Sequence, residues 1–234
     1  MTGLVDSVRQ LKSRAMAARD AGNYAEAVEL LESAERLLRS ALADLAAHRA
    51  AGEPAGSHET DLAGQLVHIL GTRGGVYRRD QKYEAAVAAY DAGYRIERST
   101  SGYAIVDSYA MTQRLVTRLL LNPSAADEDG VLVLGLDMRQ ALSAAEVEIQ
   151  RQVAGERADD EYAAADLAVV RLLLGVEGWE EALETFLNGA PEPYAVIVTQ
   201  ATLRELVTVA TALMHPPAAL TERLNAACED LDAA

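Results

Sequence analysis

The sequence predicts an all-α fold, a right-handed α-solenoid of stacked helical hairpins with about ten helices, and three observations carry that expectation. Apolar residues recur at spacings of three and four along most of the 234-residue chain, the signature of amphipathic helices. Short breaks built from Gly, Asn and Pro interrupt the pattern. One phrase also recurs at three probable corners: Gly22-Asn-Tyr-Ala-Glu-Ala-Val-Glu-Leu-Leu-Glu-Ser-Ala34, Gln81-Lys-Tyr-Glu-Ala-Ala-Val-Ala-Ala-Tyr-Asp-Ala-Gly93, and Glu177-Gly-Trp-Glu-Glu-Ala-Leu-Glu-Thr-Phe-Leu-Asn-Gly189. Internal repetition of this kind marks a stack of helical units, whose usual product is a binding surface.

Taken in order, Leu4, Val8, Leu11, Ala15 and Ala18 define a first helix over residues 3–21. Gly22-Asn23 breaks it, and a long helix runs from Tyr24 toward Ala50 with Ala27, Leu30/Leu31, Ala34, Leu37/Leu38, Ala41/Leu42 and Leu45 as its apolar series. Ala51 to Ser57 reads as a loop by its Gly and Pro content. Ser57, with Glu59 and Thr60 after it, is expected to cap the next helix, which runs to Arg79. Asp80-Gln81 forms a corner and a helix covers Lys82 to about Arg98. After a break at Ser99–Gly102 another helix continues to Leu121, where Asn122-Pro123 ends it. The acidic stretch Asp127-Glu-Asp-Gly130 follows, and Val131–Leu134, open to either strand or buried helix, is taken as irregular. Helices are then expected over Asp137–Val153, Asp159–Leu174, Trp179–Leu187, Ala195–Met214 and Ala218–Leu231, with Pro191, Pro193, Pro216 and Pro217 punctuating the last two.

The corner phrase resembles the tetratricopeptide repeat, a 34-residue helical hairpin. The copy over 58–98 fits best, with Leu70, Gly74, Tyr77, Tyr83, Ala86 and Tyr90 in the family's places and Gly93 for its final Ala; Arg73 stands where an apolar residue is wanted. The copy over 3–47 uses Leu11, Ala15, Ala18, Tyr24, Ala27, Leu31 and Ala34. The copy over 159–189 uses Leu173, Trp179, Ala182, Phe186 and Gly189, with Asp166 at the large position. In each, small residues let two helices approach while an aromatic fills the gap to a neighbour. The spacing between copies is not the family's period, so the resemblance covers about half of the chain. A three-helix bundle of the microtubule-interacting-and-transport type shares the Asp-x-Gly-x-Tyr-x-x-Ala corner and is the rival for the first segment.

Charge divides the chain. Residues 1–121 carry fifteen acidic and fifteen basic side chains, whereas residues 122–234 carry twenty-one acidic and six basic, the whole of the net −15. We therefore expect two regions, N-terminal hairpins over 1–121 and acidic hairpins over 122–234 continuing the same stack. The acidic half should repel nucleic acid and anionic lipid, which bind through their phosphates, and no apolar run approaches the ~20 residues of a membrane span. With a single cysteine, Cys228, and no apolar leader at Met1–Gln10, a cytoplasmic setting is expected. Two lysines against nineteen arginines, beside abundant Ala, fit a high-GC bacterial genome.

Reactive constellations do not emerge. His48, His58, His68 and His215 lack the spacing of a metal site, Cys228 has no nearby His, and Leu70-Gly-Thr-Arg-Gly-Gly-Val lacks the Gly-Lys-Ser/Thr of a phosphate loop. The carboxylates at Asp159–Glu161 and Glu180-Glu181 fall at helix starts, where negative charge complements the macrodipole. Tyr94, Tyr103, Tyr109 and Tyr162 divide between core and interface. The resemblance implies that first helices line a groove, making Arg9, Lys12, Arg19, His68, Arg78 and Arg79 the candidates for holding a peptide with an acidic segment. Lys12 matches one position of the family's carboxylate clamp, while Met16 and Thr72 replace its Asn residues. The expected function is non-catalytic, with no cofactor or metal: an adaptor or scaffold for a protein or peptide partner, able to self-associate through its unlike halves. The alternative is a peptide-sensing regulator or an accessory subunit of a bacterial effector or defence enzyme.

Overall fold

The structure is a computed structural model and describes residues 2–49, 55–98, 107–121, 136–158, 160–213 and 218–233. Every regular element among them is an α-helix, ten in all. The chain divides into two compact units, residues 1–110 and 111–234. Unit 1 contains α1 (Thr2–Asp20), α2 (Tyr24–His48), α3 (Ser57–Arg79), α4 (Tyr83–Glu97) and the first residues of α5 (Tyr109–Leu121). Unit 2 contains the rest of α5, then α6 (Leu136–Val153), α7 (Glu161–Leu174), α8 (Trp179–Asn188), α9 (Pro193–Ala212) and α10 (Ala218–Ala233). The stretch Val131–Leu134 and Tyr103 lie outside the described residues.

In unit 1 each helix packs on the next, α1 on α2, α2 on α3 and α3 on α4. The doubled apolar positions of α2 resolve by period: Ala27, Leu31, Ala34, Leu38 and Leu42 are buried. Leu37, the outer member of its pair, is 39% exposed. Steps of three and four keep one stripe inward on a helix of 3.6 residues per turn, and the adjacent residue necessarily leaves it.

The first two corners are the same structure made from different residues. Asn23 N–H returns to Ala18 C=O at 2.8 Å and Lys82 N–H to Tyr77 C=O at 2.8 Å; one residue earlier, Gly22 N–H reaches Arg19 C=O and Gln81 N–H reaches Arg78 C=O, both at 3.0 Å. This paired closure satisfies the last helix carbonyls and requires a left-handed residue. Gly22 (φ +78°) takes it freely, while Gln81 (φ +57°) takes it against its Cβ. The third corner is longer. Helix α7 closes on Gly175 (φ 68°), and Gly178 (φ 84°) then opens α8. Arg171 braces that corner by donating to Gly178 C=O at 3.1 Å.

The residues expected to pack the repeats are mostly buried. Ala27, Leu31, Ala34, Ala86 and Tyr90 are at most 1% exposed, and Trp179, Ala182 and Phe186 are buried in unit 2. Tyr24, Tyr77 and Tyr83 are half-buried. Gly74 has a specific cause: a Cβ there would stand 2.6 Å from the Tyr90 ring, so α3 and α4 meet with an aromatic edge in the place of a side chain. Tyr109, at the start of α5, crosses Tyr90 edge-on with centroids 6.0 Å apart and leans on Gly71. Arg73 at an apolar position is also explained, because its guanidinium pairs with the half-buried Glu35 of α2, which in turn binds Arg39 at 2.7 Å.

One capping expectation is corrected. The N-cap of α3 is Gly56, with no side-chain cap bond, and Ser57 is already helical. Glu59, in the first turn of α3, is buried and meets Arg49, just past the end of α2, at 3.2 Å. A desolvated carboxylate gains more from a guanidinium than from a backbone N–H that water can reach. At α7 the expected acidic cap is present, with Asp160 accepting from Tyr162 N–H and Ala163 N–H at 3.0 and 3.3 Å.

In unit 2, α7 packs on α6, α8, α9 and α10, and α9 pairs with α10. Accordingly Ala163–Val170 and Leu172–Leu174 are buried on every side of the helix, the condition of a helix apolar all round. Helix α9 has 20 residues, and an 18-residue window of it has a mean hydropathy of 1.2, long and apolar enough by length and composition to cross a membrane, which the sequence reading did not anticipate. It carries Arg204, held at 2.7 Å by Asp232 of α10, so in this fold it is half of a hairpin.

Two substitutions in α3 should have opposite signs. Gly74→Ala gains about 1 kcal/mol of helix propensity but overpacks against Tyr90 by about 1–3 kcal/mol, a net loss of stability in urea unfolding followed by circular dichroism. Gly64→Ala, where a Cβ would meet nothing within 4 Å, should stabilise by about 0.5–1 kcal/mol in the same assay. At the second corner, Gln81→Gly should raise stability by up to about 1 kcal/mol, since only the left-handed strain is removed.

Candidate functional site

The candidate residues were drawn from α1 and α3, and the fold sorts them into two groups. Midway along the helices Lys12 of α1 and His68 of α3 face each other, with the Lys12 ammonium donating to His68 Nε2. At the C-terminal ends, about two turns further on, Arg19 donates to Asp20 at 2.7–2.8 Å and Arg79 approaches the same carboxylate at 3.7 Å. The last turns of α1 and α3 thus carry arginines at the negative end of each helix macrodipole, a placement the dipole favours.

Burial separates structural arginines from available ones. Arg19 and Arg78 are each 7% exposed, so of the six expected groove residues these two offer the least surface to a partner. Arg9 is on the surface, 74% exposed, and meets Asp6 at 3.0 Å, a pair that water screens almost completely. Lys12 is half-buried and no carboxylate among the described residues pairs with it. Thr72, one turn beyond His68, spends its hydroxyl on His68 C=O at 2.8 Å.

Two basic groups in contact disturb each other's titration. Burial, then the Lys12 charge, hold His68 below its ordinary value, with Asp107 pulling the other way. Burial lowers Lys12 as well. At neutral pH the stable arrangement is therefore a charged ammonium donating to a neutral imidazole, with the His68 proton on Nδ1. Asp107, ahead of α5, is the site residue that sequence reading missed. It lies 39 positions from His68 in the numbering, and no local pattern links the two.

Cys228 is buried and its thiol is pushed up, chiefly by burial, the reverse of an activated nucleophile. Among the described residues no group of three His, Cys, Asp or Glu side chains is placed to hold a metal ion. Asp166 is buried within α7. Tyr94 lies half-buried with the Arg98 guanidinium 5.7 Å from its ring centroid.

No family model matches the chain, and no curated protein or solved structure matches it.

The titration of His68 has a stability consequence. Its folded pKa lies below the ordinary value of about 6.5, so below that pH the unfolded chain binds a proton that the folded chain resists. Stability should be complete above pH 6.5 and fall as the pH is lowered through the window beneath it. His68→Gln should flatten that part of the pH–stability curve, measured by urea unfolding; an unchanged slope would detach the effect from His68.

Proposed function

We propose that the chain is a non-catalytic adaptor, a right-handed stack of tetratricopeptide-like hairpins that binds an acidic segment of a protein partner on the α1–α3 face of unit 1. The observation that carries this reading is the Lys12–His68 contact. Two basic side chains from non-adjacent helices meet there, partly desolvated and with no carboxylate bound to Lys12. A carboxylate arriving at this point replaces a base–base contact with a charge-assisted pair, and it favours protonation of His68. Arg9, exposed one turn before Lys12 and held only by a surface pair, extends the positive edge.

Three further features support a binding role over a catalytic one. The corner phrase, the small-residue packing and the consecutive-neighbour order of unit 1 are what a hairpin stack needs to build a groove. The buried thiol and the carboxylates at helix starts have structural explanations. The strongly acidic second half carries charge of the opposite sense, giving the adaptor a second, dissimilar surface.

Binding should be tested by titrating a labelled peptide ending in consecutive glutamates into the full chain and following anisotropy. We expect single-site binding that tightens as the pH falls below about 6.5 and weakens with salt. Lys12→Glu combined with His68→Glu should reduce affinity by about tenfold or more. Equal affinity of the variant and wild type would refute the assignment of this face.

A further inference from the structure

Unit 2 exposes apolar side chains at one end, where its own folding does not require them. Tyr162 is 39%, Tyr194 41% and Ile197 57% exposed. The exposed stripe of α9 is Tyr194, Ile197, Ala201, Arg204, Thr208 and Thr211, and its first two turns are entirely apolar. The start of α7 lies beside this helix entrance, since a Cβ on Gly189, in the α8–α9 corner, would stand 3.6 Å from Glu161 Cβ. An open cleft of about 510 Å³ adjoins Tyr162, lined among others by Gly155, Glu156, Arg157, Asp160 and Glu161.

Carboxylates frame this apolar ground. Between Arg157 and Arg204 the sequence has nine acidic residues and one basic, Arg171, which is committed to Glu146 at 3.0 Å and to the Gly178 carbonyl at 3.1 Å. Arg157 is committed to Asp160 at 2.8 Å. The Tyr162 hydroxyl is held above its ordinary pKa by burial, then by Glu192, Glu161, Tyr194 and Asp160, which puts those carboxylates and the second ring within electrostatic reach. Tyrosine faces beside carboxylates suit a guanidinium or ammonium, through the ring quadrupole and through charge-assisted hydrogen bonds. A second copy offering the same face would set acid against acid.

We propose that the α7–α9 end of unit 2 is a docking face for a cationic segment of a partner protein. Tyr162, Tyr194 and Ile197 receive its apolar side chains, and Glu161 and Glu192 receive its basic ones. This face is independent of the α1–α3 site, and either can fail without the other. The test uses the full chain and two labelled peptides, one alternating arginine with leucine and one alternating arginine with serine. The arginine–leucine peptide should bind more tightly. Tyr194→Ala with Ile197→Ser should weaken it by about tenfold or more, Glu161→Gln with Glu192→Gln should weaken it and reduce its salt dependence, and Val147→Ser, an exposed control on α6, should leave it unchanged. Circular dichroism identical to wild type confirms that the variants fold; should the double variant not fold, Ile197→Ser alone serves. Equal binding of both peptides, or indifference to Tyr194 and Ile197, overturns the proposal in favour of undirected attraction to an acidic surface. Sedimentation showing a dimer that dissociates in the Tyr194→Ala, Ile197→Ser variant overturns it in favour of a second copy.

Discussion

Unit 1 depends on a contact in which one helix contributes no side chain. At Gly74 the backbone of α3 receives the edge of Tyr90 from α4, and the 2.6 Å that a Cβ would leave is too short for any other residue without displacement. Tyr90 is almost completely buried, and Tyr109 rests edge-on against it and over Gly71. Interiors pack at crystal-like density, so this closeness between α3 and α4 constrains the neighbouring layers. The α2–α3 interface adds a second device to its apolar contacts, the pair of Arg73 and Glu35, a charged contact at an apolar position. A helix stack can alternate these two devices because each interface is satisfied locally.

The two units differ in how their charges are used. In unit 1 arginines and carboxylates are largely consumed within the fold, as at Arg49–Glu59, Arg73–Glu35 and Arg19–Asp20. Lys12 differs from these, a cation whose hydrogen-bond partner among the described residues is another base. In residues 122–234 twenty-one acidic side chains stand against six basic ones, and Glu161, Glu180 and Glu181 lie in the first turns of their helices. The balance of charge in the first half of the sequence and its acidic excess in the second give the two halves unlike electrostatic character.

Much of the architecture was legible in the sequence because it is written in local patterns. The corners at Gly22 and Gln81, the starts of α2 and α8 at Tyr24 and Trp179, the start of α4 to within one residue, and the burial of Ala27, Ala86 and Ala182 follow from spacing within a few residues. What escaped it depends on distant residues. Ser57 had the composition of a cap, but Arg49 claimed Glu59 from the other side of a loop. Arg19 and Arg78 had the composition of groove residues, yet burial is settled by how helix ends pack, which periodicity does not report. The meeting of Lys12 with His68, and the influence of Asp107 on it, needed the fold. The exposure of Tyr194 and Ile197 needed it too, since an apolar residue in an amphipathic pattern is read as core.

The distribution of aromatic residues gives the two units separate optical identities. Trp179 is the only tryptophan of the chain, and it is buried in unit 2 beside the corner braced by Arg171. Seven of the nine tyrosines fall in residues 1–110, among them the crossed pair Tyr90 and Tyr109. Tryptophan emission therefore reports the unfolding of unit 2, whereas tyrosine absorbance is weighted toward unit 1. Without any label, a denaturation curve recorded at both wavelengths reads whether the units melt together or one after the other, and so measures the coupling between them directly.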